Sequence, residues 1–148
     1  MNFQTEEQEV TYSKVASWLP EICDHVSNPF EDKPVFSLQF GSAAAIVEVR
    51  PFRQAESVIY IWSYVATEVT IKEDLLHFLL KQNDTFRFGG FSMADEGDIR
   101  FHVTLLGACC QKNEFELAIK EVLESADKFD DVIVETWGGR RSTDDLFA

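Results

Sequence analysis

The sequence predicts an α+β fold of order α-βββ-α-ββ-α, one antiparallel sheet with helices mainly on one face. Three observations carry this expectation. Apolar residues recur at spacings of three and four in three separate stretches. Runs of alternating apolar and polar residues lie between those stretches. Most of the alternating runs that neighbour one another are joined by short polar turns, as in antiparallel pairing.

The first helix is expected over residues 5–26, where Val15, Trp18, Leu19, Ile22 and Val26 share a face. Thr5 with Gln8, or Thr11, is placed to cap it, and Pro20 predicts a kink or break near Trp18. Asn28, Pro29, Asp32 and Pro34 mark a loop. Strands follow at 35–40, 44–52 and 57–69, with Gly41 and Ser42 turning the chain between the first two. The third run is apolar on both sides, with Tyr60, Trp62 and Tyr64 opposite Ile59, Ile61 and Val65.

A second helix is expected over 70–82, opened by a Thr70/Glu73 capping box and carrying Leu75, Leu76, Phe78, Leu79 and Leu80. Strands at 85–93 and 98–106 flank an Asp/Gly-rich turn, and Gly89 and Gly90 suggest a bulge or a close backbone approach. Phe115, Ile119, Val122, Ala126 and Phe129 stripe a last helix over 113–129, with Asn113 and Glu116 resembling a cap. A short extended piece at 132–137 is expected after it. Residues 1–137 read as a single domain and 138–148 as a flexible tail.

The 148 residues are 45% hydrophobic and include 13 Phe, enough to build a core without metal or disulfide. The net charge is -13, from 26 acids and 13 bases. That sign repels phosphate backbones and anionic lipid, so nucleic acid and membrane surfaces are excluded as default partners. Basic or apolar segments of other proteins are the complement. No stretch approaches the roughly 18 apolar residues of a membrane span. The first ten residues lack a signal-peptide core, and the three cysteines form no disulfide framework. A reducing cytoplasm is the expected location.

Leu79, Leu80 and Asn83, then Phe91, Ser92, the acidic turn at Asp95 and Gly97, and the strand 99–105 form a local pattern. With the closing amphipathic helix at 114–129 and the element order, it resembles CesT-type type III secretion chaperones and the related YbjN family. The pattern covers about a third of the chain; Trp137, Arg140 and Arg141 have no counterpart in it. The resemblance implies a chaperone-like homodimer that binds a protein or peptide client. It does not imply service to a secretion system.

Read physically, Leu79 and Leu80 suit a core or an interface, Asn83 a side-chain hydrogen bond at the helix end, and Gly97 a positive φ in the hairpin. Other chemistry finds weaker support. Cys109 or Cys110 with His102 or His77 would be needed for a thiolate enzyme, and no signature surrounds them. Metal-ligand spacings and a phosphate loop are absent, and no cofactor is implied. Gly138, Gly139, Arg140 and Arg141 form a basic island suited to an anion, an acidic partner patch or the protein's own acidic surface.

The aromatic run is the sharpest feature. If helices cover one sheet face, Tyr60, Trp62 and Tyr64 supply a dimer or client surface on the other; if both faces are covered, this is an ordinary central strand. Trp18, Leu79, Phe88 and Phe91 complete the residues expected to face a partner. The competing readings are a small cysteine-dependent enzyme and a sensor with an apolar cavity beneath the Phe-rich strands.

Overall fold

The computed structural model of the chain describes residues 1–142. Helix α1 (Glu6–Ile22) leads into strands β1 (His25–Ser27), β2 (Val35–Phe40), β3 (Ala43–Phe52) and β4 (Glu56–Thr67). Helix α2 (Glu73–Asn83), strands β5 (Gly90–Met93) and β6 (Ile99–Leu106), helix α3 (Lys112–Trp137) and strand β7 (Arg140–Arg141) complete the order. The expected α+β architecture is present, with two short strands added. All pairings are antiparallel, and the sheet runs β1-β2-β3-β4-β6-β5 with β7 beside β4. Sequence neighbours pair except across α2, where β4 takes β6 rather than β5, and across α3, where β7 pairs with β4 rather than β6.

Helices α1 and α3 pack on one face of the sheet, and α2 lies against β5. The core between them joins Val15 and Leu19 of α1 to Val47, Ile59, Ile61, Phe101 and Val103 of the sheet and to Phe115, Ile119 and Val122 of α3. Each fully buried side chain of this size stabilises by about 1.5–3 kcal/mol relative to exposure. A bulge in β4 between Tyr64 and Ala66 shifts its register against β6. Both Val65 and Ala66 join the core there.

Several local expectations are corrected. Thr5 does cap α1, accepting the Gln8 amide at 3.1 Å, but Gln8 reaches back to the Gln4 amide. The helix continues through Pro20 and stops at Ile22 rather than 26, and residues 25–27 pair with β2. Helix α2 begins after Lys72, not at a Thr70/Glu73 box; the Thr70 amide instead donates to the Trp137 carbonyl at 3.2 Å. Helix α3 is capped at Gln111, so Asn113 is not its cap.

Residues 132–137 are helical rather than extended, because Ile133 continues the buried stripe of Phe129. Residues 85–89 leave the sheet, so β5 starts at Gly90. Arg140 and Arg141, expected in a tail, pair with Thr67 and Ala66; the remainder of that tail, 143–148, lies outside the described residues.

Candidate functional site

Strand β4 presents two unlike faces. Ile59, Ile61 and Val65 point into the core, while Tyr60, Trp62 and Tyr64 point away from the helices. Trp62 is nevertheless only 9% exposed. The Arg100 guanidinium lies 3.6 Å from the centre of its ring, and its indole N–H donates to Glu48 at 3.1 Å. Tyr64 meets the indole edge-on at 5.0 Å and accepts from Arg100 Nη2 at 3.3 Å. Arg50 stacks over Tyr60 at 4.4 Å and donates to Glu48 at 2.6 Å.

Tyr60 and His102 Nδ1 share a 3.1 Å hydrogen bond, and burial holds the His102 pKa below its ordinary value. The cross-strand pairings Glu48↔Tyr60 and Trp62↔His102 put these groups side by side. The open face is therefore tied together by its own charged side chains. Arg100 Nε is buried within it without a hydrogen-bond partner.

The other residues expected to face a partner separate. Trp18 is half-buried, tilted against Phe115 at 5.6 Å. Leu79 and Phe91 are buried in the core and present no surface. Phe88 is 61% exposed. Of the two leucines expected in a core or an interface, Leu80 is 73% exposed on α2, and Leu117, which the sequence did not single out, is 61% exposed on α3. A signal for Leu117 was present: it is an apolar residue off the stripe of Phe115 and Ile119. Core and interface were not separable for Leu79 and Leu80 because α2 is apolar over a broad arc; Leu79 is buried and Leu80 exposed.

Phe88 and Leu117 both line a groove of about 480 Å3, whose apolar lining also includes Phe86, Val103, Leu105 and Ala118. Glu114 and Glu121 of α3 and Arg87 supply its charges. The wall at residues 85–88 is held from beneath. Phe86 sits in a ring cluster with Phe101 at 4.8 Å, Phe91 at 5.5 Å and Phe129 at 5.7 Å. Beside it, Asn83 binds both main-chain groups of Phe91, accepting from its N–H at 2.7 Å and donating to its carbonyl at 3.3 Å. The expected side-chain bond of Asn83 thus serves the outer edge of β5. Gly97, at the turn, has the expected positive φ of 89°.

The thiols and histidines do not converge. Cys110 is in the core, whereas His102 faces the opposite side of the sheet. Burial, with Glu114 nearby, pushes the Cys110 thiol up to about 11, away from a reactive thiolate. Cys23 is buried and Cys109 exposed. His77 lies on the surface of α2, 3.5 Å from Glu73. The basic island turns back on the protein's own acids, Arg140 toward Glu68 and Arg141 to Asp131 at 3.1 Å.

Among the described residues, no helix is long and apolar enough to cross a membrane. No curated protein matches the chain. Its fold is similar to a chain in the solved "Crystal Structure of the ExsC-ExsE Complex", with a TM-score of 0.63 and 17% identity, over 82% of this chain and 95% of that one. The family model for T3SS (YopN, CesT) and YbjN peptide-binding chaperones matches residues 12–145, and the chain belongs to that family.

Proposed function

We propose that this protein is a non-catalytic, chaperone-like module that acts as a homodimer and binds a peptide segment of a client protein in the cytoplasm. One observation carries the reading: large apolar side chains stand uncovered, two of them, Phe88 and Leu117, lining an apolar groove. They are Leu76 and Leu80 on α2, Phe88 before β5, Leu106 at the end of β6 and Leu117 on α3. Exposed apolar surface of this kind marks interaction sites on soluble proteins. The neighbouring fold comes from a structure described as a complex of two proteins, which agrees with a partner-binding role. Leu76 and Leu80 are the proposed contact between copies, and the groove side is the proposed client surface.

Sedimentation equilibrium tests the dimer. A species of twice the 16.9 kDa chain is expected, shifting to the chain mass in Leu80→Glu. A wild type that stays at chain mass at tens of micromolar, an order typical of weak dimers, removes that part of the proposal. Thiol titration tests the absence of cysteine catalysis. Cys109 alone is expected to react quickly in the folded protein, since Cys23 and Cys110 are buried. Fast, low-pH reactivity at Cys110 would instead favour the enzyme reading. The groove also has the volume of a small-molecule site. A small molecule retained in native mass spectrometry would favour the sensor reading.

A further inference from the structure

Helix α2 has little of its own to hold it in place. It spans 11 residues, a length that is marginal for a helix standing alone. Its N-cap, Lys72, makes no side-chain cap bond, and only Leu75 and Leu79 are buried. Asn83 ties the far end of the helix to β5. The near end depends on the chain that leads into it.

That chain, residues 68–72, is gripped from two sides. On one side the Val69 amide donates to the Gly97 carbonyl at 2.9 Å. On the other lie residues 137–141. The Trp137 carbonyl accepts the Thr70 amide at 3.2 Å, and Arg140 and Arg141 pair with Thr67 and Ala66. Gly139 permits this approach. Its φ is +90°, and a Cβ there would lie 2.4 Å from the Thr67 carbonyl oxygen. Arg140 reaches toward Glu68 at 4.0 Å, and Arg141 bonds Asp131 at 3.1 Å. The Trp137 ring completes the contact, tilted against Phe78 of α2 at 5.3 Å.

Two features oppose this closed arrangement. Glu68 holds a φ of +56°, which is costly for a residue with a side chain. The Trp137 indole N–H is buried without a hydrogen-bond partner among the described residues. Opening relieves both costs. The contacts that keep it closed include a two-residue strand pairing and two solvent-exposed ion pairs, which are weak singly.

We propose that residues 137–141 form a latch that orders α2, and that latch and helix open as one unit while the rest of the sheet and α1 stay folded. Local opening follows contiguous segments with few buried apolar contacts, which describes α2. Leu76 and Leu80 lie on this helix, and the groove wall at 85–88 follows it directly. The latch therefore governs whether the rim is assembled. That consequence rests on the partner-binding reading above; the latch itself does not.

The test is residue-resolved amide exchange on the full chain under native conditions. In Gly139→Ala, the Thr70 amide and the α2 amides from His77 to Lys81 should exchange about tenfold faster or more. The protected amides of β3, and of β4 before its bulge, should stay within about twofold. Arg141→Glu leaves the backbone alone and sets like charge against Asp131; it should speed the same amides about threefold. If Gly139→Ala does not fold, Arg141→Glu decides by the same pattern.

Wild-type exchange in α2 while the Thr70 and Arg141 amides speed up would overturn the proposal, because the latch then opens alone. Acceleration of α2 and the central strands by one common factor would also overturn it, because α2 then opens only with the whole fold. Each ratio is read at two protein concentrations about tenfold apart. Protection by a second copy changes with dilution and protection by the latch does not, so loss of the dimer reading leaves the latch standing.

Discussion

The outward face of β4 and the rim formed by α2, residues 84–89 and α3 both carry large apolar groups that no core absorbs, yet they treat them differently. On β4, Trp62 is 9% exposed, with Arg100 stacked over it and Glu48 bound to its indole. On the rim, Leu80 is 73% and Phe88 61% exposed, and Leu117 equals Phe88. The first region satisfies itself with its own charges. The second remains wet and apolar. Aromatic content alone therefore does not locate a binding surface; what decides is whether neighbours on the same face have already covered the rings.

Substitutions can break this comparison. The largest effect is expected beneath both regions, where Phe101 is fully buried among Phe86 and Phe91. Phe101→Ala should cost about 3–5 kcal/mol in urea unfolding. Trp62→Ala should come next, at about 1–3 kcal/mol, through lost packing and the Arg100 stack. A neutral Trp62→Ala would mean that the open face holds itself together no better than the rim.

A smaller effect depends on pH. Burial lowers the folded-state pKa of His102, so the unfolded chain binds its proton more readily. The stability gained from neutral His102 is present above its ordinary value of 6.5 and is lost as pH falls through the folded pKa. The urea midpoint of the wild type should drop more than that of His102→Gln between neutral and acidic pH. Parallel curves would remove His102 from the face's network. The smallest effects belong to the groove side of the rim: Phe88→Ser and Leu117→Ser should each stay within about 0.5 kcal/mol. A larger loss would show that these side chains serve the fold.

The sequence made the long periodic elements readable. The two faces of β4 and the alternation of β3 follow from period-two patterning, and α2 from its leucines. What it hid was decided by tertiary contact. The run at 132–134 is β-branched and reads as strand, yet burial of Ile133 after Phe129 keeps it helical. Thr70 has the look of a cap but spends its amide on Trp137. Phe86 and Phe88 alternate like strand residues, yet the ring cluster draws Phe86 into the core and Gly89 turns the chain off the sheet. That turn creates the groove, so the candidate surface was the least legible part of the molecule. The aromatic residues were legible as a stripe, but not their partners, because Glu48, Arg100 and His102 meet Trp62 and Tyr60 only through register.

The most direct measurement compares the affinity of one library-selected peptide for the wild type, Phe88→Ser and Trp62→Ala, with folding verified for each. Peptide binding at the wet rim predicts a loss of about tenfold in Phe88→Ser and little change in Trp62→Ala. Full affinity in Phe88→Ser with a large loss in folded Trp62→Ala would contradict it and move the working surface to the open face of the sheet.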